Sequence, residues 1–169
     1  MKIISVVFLC ITLISCATIS PEITKVSEQT YRIIGKLHQE EYDQIIDIVR
    51  QYPNQRLNFY VTSIGGTSAD LIPAMDAVYK HGRVHWYVTE YCDSACAVMA
   101  LATRHAHGEI KLHSFYAYHH HAAHAAPEYN ERILDKLHSY GYDTARMHHM
   151  FDSVEQLWTL NVVDGEIIY

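Results

Sequence analysis

The chain lacks most of what would assign it to a specialised class. Glycine (7) and proline (4) are scarce among its 169 residues, which excludes a flexible linker or a fibrous repeat. Only 19% of residues are charged against 49% apolar, too few charges for an intrinsically disordered chain. Positive charge is in deficit, with 13 Lys and Arg against 19 Asp and Glu and a net charge of −6. No surplus of cations is there to displace counterions from phosphates, so no nucleic-acid partner is expected. No apolar run reaches the ~20 residues of a bilayer span. There is no C-x-x-C pair, no H-E-x-x-H motif and no internal repeat. The length suits one compact domain.

What is present begins at the amino terminus. Lys2 precedes an almost unbroken apolar run from Ile3 to Ile14, the size of a signal-peptide core. The run ends in Leu13-Ile14-Ser15-Cys16, which resembles a bacterial lipobox. The resemblance implies cleavage before Cys16 and its lipidation, anchoring the chain through two or more acyl chains. The expected organisation is a signal peptide over 1–15, a lipid-anchored tether over 16–30 and one domain over 31–169. Ala17 after the cysteine implies the periplasmic side of the outer membrane of the cell envelope. Cys10 leaves with the signal, so Cys92 and Cys96 remain, in a compartment that permits a disulfide. They can pair if Cys92 sits just before a helix that carries Cys96; uniform helix would aim them poorly.

Periodicity predicts strands at Tyr31 to Leu37, Leu57 to Thr62 and Val84 to Thr89. It predicts helices over 38–51, 69–80 and 94–103, and another opening at Pro127. Residues 119–126 read as a His/Ala-rich loop, a second helical piece reaches Met150, and a further helix starts at Asp152, with Glu155 three residues on. Strands alternating with helices imply an α/β fold with a mainly parallel sheet.

Two strand-to-helix junctions can carry chemistry: Ser63-Ile64-Gly65-Gly66 and Glu90-Tyr91-Cys92-Asp93-Ser94-Ala95. Ser94 at the head of a buried helix is either an N-cap or a nucleophile, and the helix end favours a developing oxyanion nearby.

The order strand-Gly-Gly-helix, strand-x-x-Ser-Ala-helix, then Ser114 and His119 on a strand, and Asn161-Val162-Val163-Asp164 near the end resembles the proteolytic subunit of the Clp protease (ClpP) and its superfamily with crotonase. The segment Cys92-Asp93-Ser94-Ala95-Cys96 is similar to the C-x-S-A-C segment of exported members. The resemblance implies a ClpP/crotonase-like fold and a serine hydrolase, most simply a peptidase. Ser94 would be the nucleophile, His119 the general base, and the amides of Gly66 and Ala95 the oxyanion hole. The third member departs from the family. Counting back from Asp164 places it near His149; a small gap brings Asp152 there instead, and Asp143 is less well placed. A Ser-Lys dyad through Lys136 is a further mechanism.

The resemblance implies peptide or acyl substrates, no cofactor, room for a homo-oligomer and, for a lipid-anchored chain, no ATPase partner. A rival reading is a catalytically inactive ClpP-like binding or scaffold lipoprotein. A third is metal binding by the histidines, of which there are 13, including His105, His107, His113, His119, His120, His121, His124, His148 and His149. The 13 tyrosines suit strands and half-buried faces.

Overall fold

Leu57, Phe59 and Val61 alternate along one strand, and Val84 and Trp86 along the next. Such alternation buries one side of a sheet. The computed structural model describes residues 22–67, 71–119, 122–153 and 155–168, with the backbone alone over 116–119 and 122–125. Four strands, β2 (Thr30–Ile34), β3 (Leu57–Ser63), β4 (Val84–Cys92) and β5 (His105–Leu112), run parallel and side by side. Helices α1 (Gln39–Gln51), α2 (Leu71–His81) and α3 (Ala95–Ala102) connect them in turn. Right-handed crossovers that advance one strand at a time put successive helices on one side, and α1 packs on α2 and α2 on α3.

Apolar spacing explains the helices. Tyr42, Ile45, Ile46 and Val49 form the buried stripe of α1, as the sequence predicts. The backbone N–H of His38 donates to Glu41 Oε2 at 2.8 Å and closes the first turn of α1. Every residue of α3 is buried, consistent with its small apolar composition. Tyr31, Phe59 and Trp86 face one another across β2, β3 and β4, with ring centroids 5.4 and 5.7 Å apart.

The sheet is mixed rather than mainly parallel. Strand β1 (Glu22–Ser27) joins β2 antiparallel, and β8 (Trp158–Val163) and β9 (Glu166–Ile168) extend the other edge antiparallel from β5. The order is β1-β2-β3-β4-β5-β8-β9, with a separate hairpin of β6 (Tyr116–His119) and β7 (Ala122–Ala125). Helix α4 (Pro127–Ser139) follows the hairpin.

Four expectations of local structure change. The segment read as a tether contains β1; it is an edge strand, nearly all exposed, so no apolar alternation marks it. Residues 122–125 are a strand rather than loop. The helical piece before Met150 is two short 3-10 turns, Thr144–Arg146 and His148–Phe151. Asp152 ends the second of these instead of starting a helix, and Trp158 to Val163 pairs with β5. The β-branched and aromatic content of that last stretch agrees with a strand, and pairing with a neighbouring strand outweighs the capping signal. The lipobox and Cys16 lie outside the described residues. Among the described residues no helix is long and apolar enough to cross a membrane.

Candidate active site

The ends of β3 and β4 meet at a corner built almost wholly of backbone. Asp93 N–H donates to Ser63 O at 2.9 Å, and Gly65 N–H donates to Ser63 Oγ at 3.1 Å. Gly65 has φ +84°, and a Cβ there would stand 2.6 Å from Asp93 O, 2.7 Å from Ser94 Cβ and 2.9 Å from Ala95 N. Only glycine brings the two junctions this close. Gly66 forms a parallel bridge with Leu37, whose N–H donates to Gly65 O (2.8 Å) and whose carbonyl accepts from Thr67 N–H (2.9 Å). That pattern turns the Gly66 N–H away from Leu37. Gly66 is exposed while Gly65 is buried.

Ser94 has φ 56° and ψ −123°, and Asp164 is the one other described non-glycine residue with positive φ. Such a conformation costs about 1–3 kcal/mol and persists only where the surroundings enforce it. Here they do. Ser94 N–H donates to Lys111 O on β5 at 2.8 Å, Ser94 O accepts from Val98, and Gly65 lies too close to leave room for a side chain of its own beside the Ser94 Cβ. The disulfide Cys92–Cys96, with Cα atoms 5.2 Å apart, brackets Ser94 two residues on either side. Cys92 ends β4 and Cys96 lies in the first turn of α3, the arrangement that lets a four-residue spacing close. Ser94 occupies the N-cap position of α3, yet its hydroxyl makes no capping hydrogen bond. A sharp strand-to-helix turn of this kind presents a serine Oγ outward. Among the described residues, the amides of Gly66 and Ala95 have no hydrogen-bond partner. Two such donors beside a half-buried serine can receive an oxyanion.

The other candidates are spread more widely. His119 closes β6, eight residues after Lys111; its side chain lies outside the described part. Asp152 is exposed, and its N–H donates to His149 O at 3.5 Å. His149 is exposed, with its ring edge-on to Trp158 at 4.6 Å. Asp143 pairs with Arg146 at 3.4 Å and lines a cavity of about 470 Å³ with Leu101, Thr103, Arg104 and Tyr142. That cavity opens at the carboxyl end of α3, the opposite end from Ser94, so Asp143 stands about 12 Å of helix away. Lys136 Nζ is engaged by Asp76 on α2 at 3.2 Å. Burial pushes the Asp76 carboxyl up, and hydrogen bonds from Tyr140 and Lys136 overcome this and hold it below its usual value.

Two features escape a reading of the sequence. Asp93, directly before Ser94, has a buried Oδ1 without a partner among the described residues, and burial raises its pKa while Lys111 and His113 pull it back. Its place beside the candidate nucleophile is the signal that could have singled it out. The side of the sheet opposite Trp86 carries a stacked ladder: His85 on His105 at 4.3 Å, Tyr60 on Tyr87 at 5.1 Å and Tyr87 on His107 at 5.1 Å. Burial, with the charges of Arg56, His105 and His107, lowers His85 to about 4. Among the described residues no group of three or more His, Cys, Asp or Glu side chains is placed to hold a metal ion. His120 and His121 lie outside the described residues.

No protein-family model matches the chain, and no curated protein matches it.

Proposed function

We propose that this chain is a serine hydrolase of ClpP/crotonase-like architecture, acting on peptide or acyl bonds from a lipid anchor at Cys16 on the periplasmic side of the cell envelope. One observation carries the reading: Ser94 is forced to positive φ at a strand-to-helix turn, its hydroxyl free of capping, beside two amides that have no partner among the described residues. Ser94 Oγ attacks the carbonyl and His119 takes its proton. The amides of Gly66 and Ala95 receive the oxyanion, and His119 then returns the proton to the leaving group. Water releases the acyl group by the same steps in reverse. Asp152 or His149 is the candidate for orienting His119. The chain works without a cofactor and without an ATPase partner, and homo-oligomers are compatible with the fold.

A second reading, a catalytically inactive binding or scaffold lipoprotein, is favoured by the exposure of both Asp143 and Asp152, since a triad acid is ordinarily buried against its histidine. A fluorophosphonate probe decides between them. In full-length protein held in detergent near neutral pH, the hydrolase reading predicts covalent labelling of Ser94, none in Ser94→Ala, and a loss of roughly 10³-fold or more in His119→Ala. Folded wild type that resists the probe selects the binding-protein reading.

A further inference from the structure

Asn130, which completes the first turn of α4, is buried in spite of its amide, and both ends of that amide are used. Its Oδ1 accepts from the backbone N–H of Phe115 at 2.8 Å. Its Nδ2 donates to Ser114 Oγ at 2.7 Å and to the carbonyl of Phe151 at 3.3 Å. The orientation of the amide is settled by its partners, because an N–H must meet the oxygen and a carbonyl must meet the nitrogen. Ser114 Oγ passes the bond on to Phe115 O at 3.1 Å.

These partners are not arbitrary positions. Ser114 and Phe115 form the stem that leads from β5 into β6, and β6 ends at His119. The stem is also held by backbone bonds, Phe115 O accepting from Ala126 at the far end of the hairpin and Ser114 N–H donating to Ser153 O, and by the His113 ring, whose Nδ1 lies 2.7 Å from Ser114 O. Phe151 precedes Asp152, and Phe115 stacks on Phe151 at 6.3 Å. One buried side chain therefore joins α4, the root of the hairpin that carries the candidate base, and the turn that carries both candidate orienting residues, His149 and Asp152.

We infer that Asn130 is a positioning residue, setting the His119 hairpin and the 148–152 turn against each other so that the base is held in register with Ser94. The inference rests on the hydrolase reading. Asparagine suits the task because it both donates and accepts across a short reach, whereas aspartate would turn an acceptor toward the Phe151 carbonyl.

The test measures the rate of fluorophosphonate labelling against pH in the full-length protein, at a temperature where circular dichroism shows every variant folded. Wild type should show an acid limb along which labelling falls as pH drops, because the base must be neutral to take the serine proton. In Asn130→Ala the rate should fall by about 10- to 100-fold, since a misplacement of roughly 1 Å has effects of that order. The histidine limb should give way to a steady rise with pH as hydroxide replaces the base. Tyr140→Phe, at the carboxyl-terminal cap of the same helix, removes the bond to Asp76 on α2 and should keep the wild-type limb. If Asn130→Ala does not fold, Ser114→Ala, which removes one hydroxyl of the latch, should show a smaller loss with the same change of limb. A folded Asn130→Ala, or failing that Ser114→Ala, that keeps both the rate and the limb overturns the positioning role alone. Wild type that is never labelled overturns the hydrolase reading and this inference together.

Discussion

Ser94 and His119 are held in opposite ways. Ser94 is held by two strand ends joined through Asp93 and Ser63, by the close approach of Gly65, by a hydrogen bond from its N–H to Lys111 O on β5 and by one disulfide whose cysteines flank it. His119 ends a four-residue strand in a two-stranded hairpin outside the main sheet, rooted through the Ser114–Phe115 stem and the side chain of Asn130. A two-stranded hairpin has little stability of its own. The difference teaches that the Ser94 corner is fixed by contacts within the main sheet and a disulfide, whereas the His119 hairpin, outside that sheet, leans on a few backbone bonds at its root and on one buried side chain that a single substitution can remove.

Changes at the corner should have the largest effects. Gly65→Ala brings a Cβ to 2.6 Å from Asp93 O at φ +84°, so the two junctions must part. We expect a stability loss of about 3 kcal/mol or more, read by denaturant unfolding. Labelling of Ser94 should fall by about 100-fold in the folded fraction. Near-normal labelling in this variant would break the comparison, because the corner would then not depend on that glycine.

Removing the disulfide with Cys92→Ala and Cys96→Ala comes next. Closing so short a loop contributes about 2 kcal/mol in the chain-entropy account. The double variant should unfold at correspondingly lower denaturant, and its labelling should drop only modestly, because the backbone bonds remain.

The smallest effect is expected on the α4 side away from the latch. Lys136→Met breaks the ion pair with Asp76, for a loss of about 1 kcal/mol or less, and leaves labelling unchanged. The pair also sets a pH dependence. Asp76 has a folded pKa below its usual value, so its contribution is complete above about pH 4 and is lost as pH falls through the folded value. Thermal midpoints measured across that window should decline less steeply in Lys136→Met than in wild type. Labelling abolished in Lys136→Met would instead point to a Ser-Lys dyad and dissolve the contrast between the two regions.

The contrast also explains what the sequence made legible. The Gly65-Gly66 pair, the Cys-x-x-x-Cys bracket and the buried small-residue helix after Ser94 are local signals, and the corner they describe is present. The stripe of α1 and the alternation of β3 and β4 were readable for the same reason, since each reflects burial against one layer. The first strand of the hairpin was readable too, but its return strand was not. His119 to Ala126 is too rich in histidine and alanine to show alternation, and β7 exists only because β6 lies beside it. The capping pattern at Asp152 was a genuine local preference, but the chain from Trp158 found a partner in β5. Asn130 carried no signal, because a buried asparagine on a helix resembles a solvated one until its partners are known.

By itself the sequence determined the sheet-and-helix alternation, the two junctions and the residues standing at them, because these follow from periodicity and from the conformational freedom of glycine. Only the tertiary structure decided the positive φ of Ser94, the antiparallel edges of the sheet and the joining of hairpin, helix and turn through Asn130. Each of these depends on backbone or side-chain hydrogen bonds between segments distant in the chain, and such pairings leave no mark on local composition.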